Sequence, residues 1–80
     1  MKLEERVAEA TNDKKLKNDL IGEYQNFILA AASKVLKRSV TTSDDEYIIA
    51  MVAFGDAIDG YNENKGNFLS FAKTVIRNRI

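Results

Sequence analysis

Two pairs of charged side chains stand at helical spacing and are the first candidates for chemistry. Asp56 and Asp59 lie three residues apart, so one helix face would carry two carboxylates able to act as acid and base. No further reactive group converges on them, and a solvated helix face is the favoured interpretation. Lys73 and Arg77 lie four residues apart, where their cations could contact DNA or complement the dipole at a helix end. Spacing alone favours neither interpretation of this basic pair.

The composition excludes most catalytic and metal chemistry. The chain contains no cysteine and no histidine, which excludes disulfides, cysteine nucleophiles, Ser-His-Asp catalysis and the usual zinc and haem sites. The turn over residues 62–67 has its glycine one position early for a calcium loop, and Gly60 and Gly66 lack the lysine of a phosphate-binding loop. We therefore expect no enzyme, no cofactor, no bound metal and no small-molecule substrate.

The length and composition of the chain predict one small domain. The 80 residues are 45% hydrophobic and 30% charged, and no apolar run approaches the ~20 residues that span a bilayer. The start does not resemble a signal peptide, so we expect a cytoplasmic protein without membrane insertion. The net charge is zero but segregated, with +2 over residues 1–38, −6 over 39–64 and +4 over 65–80. Mutual neutralisation of neighbouring helices is the favoured interpretation, and two surfaces with different partners are the alternative.

Apolar periodicity predicts an all-α fold, a compact bundle of about four helices. The predicted helices cover residues 2–10, 14–38, 43–59 and 68–80. Asn12 or Asp13 should cap the second helix, and a bend is expected near residues 24–27. Ser43 and Glu46 should form a capping box for the third helix, with Gly60 as its left-handed stop. The chain ends inside the fourth helix, so we expect residues 1–80 to be a single domain cut from a longer protein.

The third predicted helix carries more apolar surface than one buried face requires. Tyr47, Met51, Phe54, Ile58 and Tyr61 recur at steps of three and four residues and predict the buried stripe. The additional apolar residues on its outer side are Ile48, Ile49 and Val52. A partner protein could cover them, or the first helix or the preceding connection could. The pattern slightly favours a partner.

An ordered set of motifs resembles region two of bacterial sigma-70 family transcription factors. Residues 44–61 start acidic and end in an acidic-x-aromatic stretch, and a Lys-Gly turn follows at residues 65–66. Residues 68–72 match Phe-x-x-aromatic-Ala, and residues 76–80 match Ile-Arg-polar-x-Ile. Residues 13–38 resemble the long helix that precedes these motifs. The resemblance is greatest to SigI-like alternative sigma factors, and it implies a single region-two domain from a chain with a further C-terminal DNA-binding domain.

The resemblance implies two binding surfaces. In the family, the acidic helix docks on the basic clamp helices of the RNA polymerase β′ subunit, and the last helix faces the promoter minus-ten element. The polymerase-binding residues so implied are Asp45, Ile48, Ile49, Val52, Asp56 and Asp59. The DNA-binding residues so implied are Lys73, Thr74, Arg77, Asn78 and Arg79.

Two departures from the family pattern qualify these roles. Housekeeping members carry polar residues where Ile48, Ile49 and Met51 stand here, which predicts a more apolar polymerase contact or another partner. They place aromatic wedges where Thr74 and Val75 stand, so these positions cannot supply base stacking.

The resemblance also implies an inhibitor. SigI-like factors are sequestered by the cytosolic domain of a membrane-anchored anti-sigma protein, for which the extra apolar surface is a docking place. The alternatives are a helical protein-binding adaptor without DNA binding and, less favoured, a stand-alone helix-turn-helix protein.

Overall fold

Five α-helices make up most of residues 2–80, the part of the chain that the structure, a computed structural model, describes. They are α1 (Leu3–Ala10), α2 (Lys14–Glu23), α3 (Gln25–Leu36), α4 (Asp45–Gly60) and α5 (Phe68–Arg79), with a 3₁₀ turn at Glu63–Lys65. The all-α prediction is confirmed. The predicted number of about four becomes five because the segment expected as one helix over residues 14–38 divides at Tyr24.

The division between α2 and α3 follows from tertiary packing of Tyr24. Its φ of −102° and ψ of 20° lie outside the helical range, although its N–H still donates to the Leu20 carbonyl at 3.0 Å. The Tyr24 ring stacks on Phe54 of α4 at 6.1 Å between centroids and meets Phe27 edge-on at 6.4 Å. The expected bend near residues 24–27 is therefore present, and α3 ends at Leu36, before left-handed Lys37 with φ of 56°.

Local capping rules succeed at α2 and fail at α4. Asp13 caps α2 as expected, because its Oδ1 accepts from the Leu16 N–H at 3.1 Å. The predicted capping box at Ser43 is wrong, since α4 begins at Asp45 with Asp44 as N-cap and no side-chain cap bond. The Asp44 carboxylate instead accepts from the Thr41 N–H at 3.0 Å and from Arg38 at 3.3 Å.

The fourth helix ends at Gly60, close to the predicted end, but the predicted left-handed conformation of this glycine is wrong. Gly60 is the last residue of α4 and the chain leaves the helix through Tyr61 in an extended conformation, with φ of −76°. This exit places the Tyr61 ring edge-on to Phe68 at 5.4 Å and 5.9 Å from Phe71. Gly66, not Gly60, has a positive φ, of 80°, and so reverses the chain into α5.

The core surrounds α4, which packs against all four other helices. The predicted stripe is confirmed, since Phe54 and Ile58 are fully buried, Tyr47 is 8% exposed, and Met51 and Tyr61 are half-buried. A second face of the same helix is also buried and consists of small residues, namely Ala50, Ala53, Gly55 and Ala57. Fully buried side chains from the other helices complete the core, namely Val7, Ala10, Leu20, Ile28, Ala32, Phe68, Ala72 and Ile76. Within residues 2–80, no helix has the length and apolar character needed to cross a membrane.

Candidate functional site

The outer side of α4 carries an exposed apolar patch formed by Ile48, Ile49 and Val52. These side chains are 53%, 44% and 52% exposed, whereas most of the large apolar side chains of the described chain are buried or half-buried. The first helix and the connection before α4 therefore do not cover them, and that alternative is wrong. Full burial of an exposed side chain of this size contributes about 1.5–3 kcal/mol, and a partner that covers the exposed half of each of these would gain about half of that per residue.

The three aspartates predicted beside this patch are all exposed, but two of them are engaged within the molecule. Asp56 accepts from Arg79 of α5 at 2.6 Å, and Asp59 accepts from Lys17 of α2 at 2.8 Å. Asp45 stands at the first turn of α4, where the helix dipole favours a carboxylate. The acidic rim of the patch is thus partly neutralised by cations from neighbouring helices, and Asp45 has no ion-pair partner among residues 2–80.

The polar side of α5 meets α3 in a groove. Lys73, Thr74, Arg77 and Asn78 are all exposed on α5, and the Thr74 hydroxyl donates to the Ser70 carbonyl at 3.2 Å. The groove encloses about 410 Å³ and is lined by Phe27, Ala30, Lys34, Val35, Lys73 and Arg77. The Lys73 Nζ lies 6.0 Å from the centroid of the Phe27 ring, within the range of a cation–π contact. This arrangement adds residues of α3 to a surface expected on α5 alone.

Of the five predicted DNA-binding residues, Lys73 and Arg77 line the groove, whereas Thr74, Asn78 and Arg79 do not. Arg79 is engaged elsewhere. Its guanidinium pairs with Asp56 across α4 and α5, and both side chains remain about half exposed. This ion pair connects a residue predicted to bind polymerase with one predicted to bind DNA. The two predicted surfaces therefore meet at the C-terminal end of α5.

The N-terminal end of α5 is held by contacts from two directions. The Asn67 side chain accepts from the Ser70 N–H at 3.1 Å, and the Glu4 Oε2 of α1 accepts from the Phe68 N–H at 3.1 Å. The Phe68 N–H lowers the pKa of Glu4 because it stabilises the carboxylate. Desolvation raises the pKa of Tyr61, whose hydroxyl donates to the Gly66 carbonyl.

The sequence does not predict two of these features, the α3 side of the groove and the contact from Glu4 to α5. Lys34 and Phe27 are not among the residues that the sequence assigns to either predicted surface. No local pattern brings α3 beside α5, so neither residue could be assigned to the groove. Glu4 lies 64 residues from Phe68 in the chain, and no sequence signal connects them.

Comparison with known proteins gives consistent similarities. A family model of sigma-70 region 2 matches residues 20–80. The chain is 41% identical over 69 residues to the RNA polymerase sigma factor SigI of Bacillus subtilis (strain 168). The matched region covers 85% of this chain and 28% of that protein. It is 39% identical over 80 residues to the RNA polymerase sigma factor SigI of Bacillus anthracis, which covers 99% of this chain and 33% of that protein.

The similarity extends to a second bacterial group. The chain is 42% identical over 79 residues to the RNA polymerase sigma factor SigI7 of Acetivibrio thermocellus, which covers 98% of this chain and 34% of that protein. The chain therefore spans about a third or less of the length of these curated relatives. The family match begins inside α2, so α1 lies outside it.

Proposed function

This chain belongs to the sigma-70 region 2 family, as its ordered motifs predict, and we propose that it serves transcription initiation as that region of a SigI-like sigma factor. In this proposal α4 binds the clamp helices of the RNA polymerase β′ subunit, and α5 binds the promoter minus-ten element. The relatives are named as sigma factors, which supports the expectation that this chain is not an enzyme.

The exposed apolar patch on α4 is the observation that carries the polymerase contact. Ile48, Ile49 and Val52 present a continuous apolar surface that the folded chain leaves open. Asp45 adds a carboxylate on the same helix, where it would meet a basic partner such as the clamp helices. Asp56 and Asp59 lie at the rim, and their ion pairs within the chain give them a smaller part in binding.

A binding assay with matched variants tests this contact. The chain should be retained by an immobilised clamp-helix fragment, and Ile48→Asp or Val52→Asp should weaken retention at least about tenfold, because each places an unpaired carboxylate in an apolar contact. Leu16→Asp is the control, since Leu16 is a 37% exposed apolar residue on α2. Equal retention of Ile48→Asp and Leu16→Asp would show that the assigned face is wrong.

The proposed DNA surface is carried by α5. Lys73, Thr74, Arg77 and Asn78 are exposed along it, with cations suited to phosphates and an amide suited to base edges. Thr74 is polar and Val75 is half-buried, so neither supplies an aromatic wedge for a flipped base. Strand separation in this proposal therefore depends on other parts of the sigma factor, with α5 contributing phosphate and base contacts.

The same apolar patch is our proposed docking place for the cytosolic domain of an anti-sigma protein. A partner that buries Ile48 and Val52 would exclude the clamp helices, because both would occupy one face of α4. Sequestration then needs no conformational change in the sigma domain. Ile48→Asp should weaken retention by an immobilised anti-sigma domain as strongly as retention by the clamp-helix fragment, and unaltered anti-sigma binding would assign the inhibitor to another surface.

A further inference from the structure

The first helix contacts both sides of the connection between α4 and α5. Near its start, the Glu4 Oε2 accepts from the Phe68 N–H, at the first residue of α5, at 3.1 Å. At its end, the Thr11 hydroxyl lies 3.2 Å from the Ile58 carbonyl of α4 and can donate to it as well as to the Val7 carbonyl of its own helix. The two contacts therefore join the end of α4 to the start of α5 through a third helix.

The buried side of α1 holds these contacts in place. Val7 and Ala10 are fully buried in the core. The helix has eight residues, too few to be stable in isolation, so its conformation depends on this packing. Because Val7 and Ala10 lie between Glu4 and Thr11 in the chain, both polar contacts are made by a segment that the core fixes.

The contact at Phe68 satisfies an amide that α5 cannot satisfy by itself. The first N–H groups of a helix have no partner within it, and this hydrogen bond is partly buried. A partly buried N–H that loses its acceptor destabilises the arrangement that leaves it unpaired. Removal of the Glu4 carboxylate should therefore favour a displaced first turn of α5, and a displaced first turn moves Lys73 and Arg77 further along the same helix.

We propose that α1 is a brace that fixes the start of α5 against the end of α4, and that Glu4 and Thr11 are positioning residues for nucleic-acid binding by α5. Both act through α5, and neither contacts DNA. This inference rests on the proposed function, because it concerns the orientation of the helix that carries the DNA surface. The family model matches residues 20–80, so the brace lies outside the matched region.

The first test measures binding of the chain to a fluorescently labelled single-stranded DNA of minus-ten sequence, at a temperature where circular dichroism shows every variant to be fully folded. Glu4→Ala and Thr11→Ala should each weaken binding by about three- to tenfold, as expected for residues that act without touching the ligand. The slope of log K against log salt should stay unchanged, because no phosphate contact is lost.

Matched controls make the same changes at exposed positions. Glu5→Ala removes one carboxylate from α1, and Thr42→Ala removes one hydroxyl from the connection before α4. Both should bind DNA at least as well as the unaltered chain. If Glu4→Ala and Thr11→Ala bind as their controls do, α1 does not position α5 and the proposal is overturned.

Conservative variants separate positioning from a general loss of stability. Glu4→Gln keeps an oxygen that can accept from the Phe68 N–H, and Thr11→Ser keeps the hydroxyl, so each should recover most of the lost affinity. Amide hydrogen exchange gives a readout that does not need DNA. Glu4→Ala should speed exchange in the first turn of α5 about tenfold more than in α3, and a uniform increase in both helices would overturn the brace.

Arg77→Ala separates this inference from the proposed function. If Arg77→Ala weakens DNA binding while the two α1 variants bind like their controls, α5 binds DNA and the brace is refuted. If Arg77→Ala leaves DNA binding unchanged, the DNA surface of α5 is wrong and the inference falls with it, whatever the α1 variants do.

Discussion

Glu4 connects the first helix to the last through a single hydrogen bond. Its carboxylate accepts from the Phe68 N–H at the start of α5, one of the amides that a helix leaves without an internal partner. Asn67 satisfies another of these amides through its own side chain. The helix proposed to bind DNA is thus capped partly by a residue outside the segment that the family model matches.

This cap gives the fold a pH dependence with a defined sign. The pKa of Glu4 is lowered in the folded chain, so its contribution to stability is full above its unfolded pKa and is lost as pH falls through the folded pKa. Glu4→Gln should lower the melting temperature at pH 7, and the difference from the unaltered chain should shrink as the pH falls below about 4. Glu5→Gln, at an exposed neighbouring position, is the control for the loss of one carboxylate from α1.

Residue-scale rules explain which caps the sequence could predict. Asp13 was predictable because its partner, the Leu16 N–H, lies three residues away in the chain. The predicted capping box at Ser43 is wrong because the carboxylate of the next residue, Asp44, accepts hydrogen bonds from Thr41 and Arg38 and so closes the connection before α4. Local capping rules cannot anticipate a competing acceptor of this kind, and they cannot anticipate a cap from a distant helix such as that of Glu4.

At the scale of elements, α4 serves two purposes with two faces. The stripe centred on Phe54 and Ile58 was predictable because helical periodicity is a property of the local sequence. The break between α2 and α3 could be expected only roughly, because Tyr24 leaves the helix to stack on Phe54, thirty residues further along the chain. Exposure of Ile48 and Val52 likewise depends on where α1 and the connection pack, which periodicity does not specify.

The same substitution on the two faces of α4 should change the free energy of unfolding by very different amounts. Ile58→Ala removes a fully buried side chain and should reduce the free energy of unfolding by about 2–5 kcal/mol. Ile48→Ala makes the same change at a 53% exposed position of the same helix and should alter it by about 0.5 kcal/mol or less. Urea unfolding measures both. A large loss for Ile48→Ala would mean that the patch stabilises the fold and would weaken its assignment to a partner.

At the scale of the whole molecule, the segregated charge of the sequence is largely neutralised between helices. Four of the six carboxylates in residues 39–64 pair with cations from other segments, namely Asp44 and Glu46 with Arg38, Asp56 with Arg79, and Asp59 with Lys17. Mutual neutralisation, the favoured interpretation of charge alone, therefore accounts for most of the acidic segment. Lys34, Lys73 and Arg77 of the groove are among the cations that have no carboxylate partner within residues 2–80, and they concentrate positive charge where α3 meets α5.

Arg77 and Arg79 should consequently differ in their effect on nucleic-acid binding, although the family resemblance assigns both to DNA. Arg77 lines the groove without a carboxylate partner, so Arg77→Gln should reduce the salt slope of single-stranded DNA binding by about 0.7. Arg79 already pairs with Asp56 in an exposed ion pair of the kind that contributes about 0–1 kcal/mol to stability, so Arg79→Gln should change the slope far less. Asp56→Asn releases Arg79 and should strengthen binding slightly, an effect that the double variant Asp56→Asn, Arg79→Gln should remove. Equal losses for Arg77→Gln and Arg79→Gln would mean that Arg79 leaves Asp56 when DNA binds and that the ion pair does not separate the two surfaces.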